Sequence, residues 1–237
     1  DIIQDIQNHN DDGTLASNTK RQVTGIYVTG TAAQPVIYVT SSDPRIGAGG
    51  GLNPDKDENL DTNSGVISRL TKVGNSWEKM DLVRGLPRSE ENHSTNGIQL
   101  DGNTLYVMVG GFTNAGAPSN NFAYITEYAY AAALITVDLG AIDALPTKGT
   151  APNEYKYDLP TLDDPTRANV NGIYDPNEAG YNGVDVNDPF GGNDGLNQAK
   201  WMANSPVQIF STGYRNAYDF LIMENGWMYT VDNGPNG

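Results

Sequence analysis

Short apolar runs bounded by turn residues recur along most of the chain. Within each run, β-branched and aromatic residues alternate with polar ones or follow one another, and Gly, Pro, Asn or Asp stands at the ends. This pattern is typical of β-strands rather than helices. The predicted strands are Gln22–Thr29, Val36–Ser41, Gly65–Lys72, Trp77–Val83, Gly97–Leu100, Thr104–Val109, Ala132–Leu139, Val207–Ser211, Asp219–Met223 and Trp227–Val231. The sequence therefore predicts an all-β protein with few helices.

Two of the joins between these strands predict tight hairpins. Asp101-Gly102-Asn103 and Glu224-Asn225-Gly226 supply residues that tolerate positive φ. The flanking strands share one pattern, an apolar pair followed by the turn and an aromatic strand, and a third copy runs across residues 24–39. Recurrent hairpins of this kind indicate the inner strands of successive β-propeller blades.

A count of four strands per blade divides the chain. Residues 20–83 form a first blade, residues 92–160 a second and residues 205–237 the start of a third, after a polar N-terminal segment at residues 1–19. Residues 145–204, crowded with Pro, Asp, Asn and Gly, read as an inserted loop. These two and a half blades do not close a ring, which needs about four. We therefore expect the remaining blades on flanking sequence or on a second chain.

The composition limits the kinds of partner that we expect this chain to bind. The formal net charge is −15, from 29 acidic and 14 basic residues, so phosphates would be repelled and nucleic acid is not expected. No apolar run is long enough to span a membrane. The 237 residues include no cysteine, so disulfides and thiolate metal sites are excluded and the redox compartment cannot be read from the sequence. The chain opens on Asp1 rather than Met, which fits a processed or excised segment, and we expect a secreted, periplasmic or cell-surface protein. An acidic surface of short carboxylates suits calcium, and it equally suits solubility alone.

Two segments carry a family resemblance. The first is Asp81–Gly97, followed by the hairpin to Gly110-Gly111, and the second is Ile209–Asn216 together with Asp232–Asn236. Both are similar to segments of the soluble quinone-dependent sugar dehydrogenases, also called the glucose/sorbosone dehydrogenase family. The resemblance implies a six-bladed β-propeller, of which this chain holds a part.

His93 is the catalytic candidate that the resemblance implies. In the family, a histidine before an inner strand takes the proton from a sugar C1 hydroxyl as hydride leaves for pyrroloquinoline quinone (PQQ). The alternative is a turn histidine bonded to a neighbouring carbonyl. Asn92 stands where the family has an acid, and its lack of charge would weaken a general base. The other histidine, His9, lies in a polar run that predicts a loop.

Three further residues correspond to cofactor contacts in the family. The resemblance implies that Arg215 and Asn216 bind the quinone, and a guanidinium and an amide suit its carboxylates and carbonyl oxygens. Gln22 matches a glutamine that contacts sugar or cofactor. The alternative for Arg215 is an ion pair with an acid such as Asp219 that closes the blade.

Calcium has two candidate sites. The resemblance implies that the carbonyls of Gly234 and Pro235 bind a calcium ion that also bridges the cofactor. A separate oxygen-rich region lacks the strict calcium-loop spacing, and a hydrated surface loop is the alternative there. Its members are Asp175, Asn177, Glu178, Asp185, Asn187 and Asp188.

Two functions remain open. The first is a calcium- and PQQ-dependent dehydrogenase that oxidises an aldose or related sugar, with His93, Arg215 and Asn216 lining a polar, water-accessible funnel. The second is a non-catalytic, calcium-stabilised propeller module for binding or adhesion. The Arg215-Asn216 and Gly234-Pro235 motifs favour the enzyme, whereas Asn92 and the long Asp/Asn/Gly insert favour the module.

Removing calcium is expected to lower the melting temperature, because carboxylate-rich loops repel one another until a cation binds. Differential scanning fluorimetry with EDTA, followed by calcium addition, measures the effect, and magnesium addition is the control. A melting temperature that EDTA leaves unchanged would exclude a stabilising calcium ion.

Overall fold

The all-β fold class is confirmed. The structure is a computed structural model, and the part of the chain that it describes is mostly β-sheet with little helix. No helix in the part of the chain that it describes is long and apolar enough to cross a membrane. The described residues are 2–10, 13–46, 60–122, 124, 126–161 and 198–235.

The first sheet has five strands, which are β1 Gln22–Gly30, β2 Pro35–Ser42, β3 Gly65–Val73, β4 Ser76–Leu86 and β8 Tyr155–Asp158. They lie side by side in the order β1-β2-β3-β4-β8. Neighbours from β1 to β4 are antiparallel, and β8 pairs with β4 in parallel.

The second sheet has four antiparallel strands, and a separate hairpin follows it. The sheet contains β5 Thr95–Asp101, β6 Thr104–Val109, β7 Ala133–Asp138 and β9 Val207–Thr212, and the hairpin contains β10 Asp219–Ile222 and β11 Met228–Val231. The two predicted hairpin turns are confirmed, between β5 and β6 and between β10 and β11. Gly102 (φ 56°) and Gly226 (φ 83°) supply the left-handed conformation that each turn requires.

The second sheet packs between the first sheet and the hairpin. Side chains alternate along β6, so Val107 faces Ile67 of the first sheet, in one apolar cluster. The next residue, Met108, faces the other way and packs with Phe220 of the hairpin in a second cluster. The three units are therefore stacked face to face.

The first strands of the three units lie side by side. The Thr24 hydroxyl of β1 donates to the carbonyl of Thr95 on β5. The Gly97 N–H donates to the carbonyl of Tyr218 (2.9 Å), and the Gln99 amide donates to the carbonyl of Phe220 (3.1 Å). These bonds hold β5 between the first sheet and β10. No closed ring is present among the described residues, and the six-bladed propeller stays a prediction.

Two strands lie in other sheets than the blade count predicts. The blade count places Val207–Ser211 in the third blade, but this strand, β9, pairs with β7 and completes the second sheet. Within residues 145–204, the described part includes β8, which extends the first sheet. Arg84 fixes β8 there through an ion pair with Asp158 (2.7 Å) and a cation–π contact with Tyr155. Such long-range pairing leaves no mark on a local sequence pattern.

A short helix replaces the end of one predicted strand. Ala132–Leu139 reads as one apolar run, but β7 ends at Asp138 and α1 follows at Leu139–Ala144. The Asp138 carboxylate accepts a hydrogen bond from the N–H of Ala141 (3.0 Å), which caps the helix.

The close approach of β5 and β10 depends on Gly97. A Cβ at this position would lie 2.6 Å from Oδ1 of Asp219 and 2.9 Å from the carbonyl oxygen of Tyr218. We expect Gly97→Ala to lower the free energy of unfolding by about 1–3 kcal/mol, the usual cost of forced overpacking. Urea denaturation measures the loss, and Gly234→Ala is the control because no atom lies within 4 Å of a Cβ there. Equal midpoints for the two variants would contradict the packing argument.

Candidate functional site

Buried polar residues concentrate at one end of the stacked sheets, where β1, β3 and β5 begin and β2 and β4 end. We call this the polar end. Its buried members include Ser41, Ser42, Asp43, Ser64, Arg88, Ser89, Glu90, His93, Ser94, Thr95 and Asn96. Since a buried polar group is costly without a partner, the hydrogen bonds of this end decide what it can do.

His93 lies inside the polar end with 1% of its surface exposed. Its Nδ1 is 2.8 Å from the carbonyl oxygen of Gly111. A carbonyl only accepts, so Nδ1 carries the proton and Nε2 holds the free lone pair of the neutral ring. The ring packs on Phe122, with centroids 4.8 Å apart, and Nε2 lies 3.9 Å from Oε2 of Glu91.

The surroundings of His93 favour its neutral form. Burial lowers the pKa of His93 to about 4, and the positive charges of Arg215 and Arg88 act in the same direction. The carbonyl of Gly111 and the charge of Asp232 oppose them without reversing the shift. The imidazole is therefore uncharged at neutral pH and is a weaker base than a free histidine.

Arg215 and Asn216 are held by side chains of two loops and of strand β5. The carboxylate of Asp232 accepts the backbone N–H of Arg215 (2.6 Å) and of Asn216 (2.8 Å). The Arg215 Nε donates to Oδ1 of Asn114, and the Asn96 amide donates to Oδ1 of Asn216 (2.7 Å). Arg215 is 6% exposed and Asn216 is 7% exposed. Asp232 anchors the main chain of this segment, whereas the alternative from the sequence was an ion pair of the Arg215 side chain with an acid such as Asp219.

Two glycines bring His93, Arg215 and Asn216 together. The N–H of Gly111 donates to the carbonyl of Arg215 (2.8 Å), while its own carbonyl accepts from His93. A Cβ at Gly110 would lie 2.5 Å from Oδ1 of Asn216 and 2.7 Å from Cβ of His93. The three predicted residues therefore form one cluster. The cluster is buried and does not line a water-accessible funnel.

The other predicted site residues lie outside this cluster. Gln22 begins β1, where it is half-buried and stands opposite Ser42 in the strand register. Gly234 and Pro235 are exposed after β11. The oxygen-rich region lies outside the described residues: Asp175, Asn177, Glu178, Asp185, Asn187 and Asp188.

The arrangement does not fit a bound quinone. Arg215 and Asn216 are more than nine-tenths buried, and polar atoms of both side chains bind Asn114 and Asn96. A planar tricyclic cofactor would need both side chains to face an open surface. Among the described residues, no three His, Cys, Asp or Glu side chains are grouped to hold a metal ion. Calcium at the carbonyls of Gly234 and Pro235 stays a prediction.

Sequence reasoning missed two residues that organise the site. Arg88 is fully buried and donates to the backbone carbonyls of Asp43 (3.0 Å), Arg45 (2.7 Å), Ser89 and Glu91. The second is the anchoring acid of the Arg215 segment, Asp232. Both lie in the segments that carry the family resemblance. Arg88 is buried whereas Asp232 is exposed, and the sequence around each residue carries no signal that identifies its distant partners.

Comparison with known proteins identifies no relative of this chain. No family model matches the chain, no curated protein matches it, and no solved structure matches it. The resemblance to sugar dehydrogenases therefore rests on the two sequence segments alone.

The stability of the protein should depend on the protonation of His93. Its folded-state pKa of about 4 lies below the usual 6.5, so the unfolded chain binds the proton more readily. The contribution of neutral His93 is complete above pH 6.5 and is lost as the pH falls towards 4. His9 has the same lowered pKa, so His93→Gln should reduce the slope of stability against pH without removing it.

Urea denaturation of the parent protein and of His93→Gln between pH 7.5 and pH 4.5 checks this expectation. His9→Gln is the matched control for the remaining slope, because carboxylate titration is common to all three proteins. Parallel curves for the parent and His93→Gln would show that His93 does not titrate in this way.

Proposed function

We propose that this chain is part of a calcium-stabilised β-propeller that acts as a non-catalytic binding or adhesion module outside the cytoplasm. The observation that carries the proposal is the burial of His93, whose Nδ1 proton is committed to the carbonyl of Gly111. A general base must approach the hydroxyl that it deprotonates to within about 3 Å, or through one water. Any further part of the protein that packs here would add to the burial.

The pattern of exposed apolar residues supports an incomplete propeller. Phe210 on β9 packs on Tyr106 at the face that the hairpin covers, yet it is 55% exposed because the hairpin has only two strands. Tyr229 on the outer face of the hairpin is 56% exposed, and Ile26 and Val28 project from β1. Apolar surfaces of this extent mark interfaces. Further strands beyond β11, and a neighbouring sheet on β1, would cover them.

One observation favours the dehydrogenase as a second candidate. His93, Arg215 and Asn216 meet around Gly110 although the first is far from the others in sequence. The tautomer of His93 also leaves Nε2 free to accept a proton. His93 is 1% exposed and packs on Phe122, so that nitrogen could reach a sugar hydroxyl only if the residues around the imidazole moved apart.

Reconstitution of the purified protein with calcium and PQQ separates the two candidates. Absorbance titration measures whether the quinone binds, and dye reduction across a panel of aldoses measures turnover. We expect no sugar-dependent dye reduction, because the imidazole is a weak base closed off from solvent. His93→Gln is the matched variant, since its amide retains a donor for the carbonyl of Gly111.

Dye reduction that requires sugar and PQQ, and that His93→Gln abolishes, would overturn the non-catalytic proposal. A loss of about 10²-fold or more is typical when a general base is removed. Equal background rates in the parent and the variant would support a structural role for His93.

A further inference from the structure

A cavity of about 350 Å³ lies at the end of β9, on the side of Gly111 away from His93. Its wall is mainly apolar and includes Ile209 and the ring of Tyr214. The volume falls in the range of small-molecule sites, which starts at about 300 Å³.

Among the described residues that line the cavity, Glu127 is the charged one. Its two carboxylate oxygens accept hydrogen bonds from the N–H of Phe112 (2.6 Å) and the hydroxyl of Thr113 (2.6 Å). Both donors are neutral, so they orient the carboxylate without bringing a positive charge to it, and the residue stays exposed to solvent. Each oxygen keeps a second lone pair for another donor.

The backbone around the cavity is held in conformations that most residues avoid. Ala115, Tyr130 and Ala132 line it with φ values of 55°, 68° and 51°. Non-glycine residues at positive φ are costly and cluster at ligand sites. Gly116 and Gly213 also line it, and no atom lies within 4 Å of a Cβ at either position, so a ligand can approach the main chain there.

We infer that this cavity binds a small organic ammonium ion, with the ammonium group at Glu127 and a short apolar stem against Tyr214. An oriented carboxylate beside an aromatic ring and an aliphatic wall matches a cation on a hydrocarbon chain. A neutral polyol would leave the charge unmatched. Free alkylamines and lysine side chains share this chemistry. The inference does not depend on the function of the His93 cluster.

Isothermal titration calorimetry of the purified protein tests the inference with three probes at 0.15 M salt. The probes are n-butylamine, Nα-acetyl-lysine amide and methyl β-glucoside. We expect n-butylamine to bind and Glu127→Gln to weaken it at least about tenfold. The fold should survive this change, because the hydroxyl of Thr113 can accept from the new amide.

Asp101→Asn is the matched control, since it removes one negative charge from an exposed residue at the end of β5, at the opposite end of the second sheet from the cavity. It should leave amine binding unchanged, whereas a general attraction of cations to this acidic protein would weaken equally in both variants. Tighter binding of the acetyl-lysine amide than of n-butylamine would identify lysine side chains as the source. Equal affinity in the parent and Glu127→Gln, binding of methyl β-glucoside alone, or no amine binding would overturn the inference.

Discussion

The buried guanidinium of Arg88 is the interaction on which the polar end depends. It joins the carbonyls of Asp43 and Arg45, which follow β2, to those of Ser89 and Glu91, which follow β4 and lead towards His93. Burial lowers the pKa of Arg88 to about 10, so the side chain stays charged at neutral pH. Its loss would leave buried carbonyls without donors, a penalty of about 1–3 kcal/mol each.

Hydrogen bonds between buried polar groups also connect the sheets to one another. Asn96 at the start of β5 bonds Asn216 of the segment before β10, and Asp232 after β11 holds the main chain of that segment. These bonds position the first strands of the three units, and they also use the groups that a ligand would need. The His93 cluster therefore connects the sheets to one another, and this connection is the observation behind the proposed binding module.

The strands were predictable because their signal is local. Alternating apolar residues identified β1 to β7 and β9 to β11 within a few residues, and glycines identified the turns at Gly102 and Gly226. The pairing of the strands into sheets was harder to predict from the sequence. β9 lies in the second sheet because of residues far away in sequence, and β8 is held by Arg84, which is over 70 positions earlier in the chain. Sequence spacing carries no information on such contacts.

The features of the site also divide into those that the sequence predicts and those that depend on the fold. The sequence by itself determined the all-β class, the tight turns and the residue types with chemical potential, because these depend on backbone preference and side-chain chemistry. Only the tertiary structure decided that His93 is closed against Phe122 with its proton on Nδ1, and that Asp232 anchors Arg215. Burial and the direction of a hydrogen bond depend on groups that folding brings together. A histidine can therefore act as a base where it is exposed and as a structural residue where it is buried.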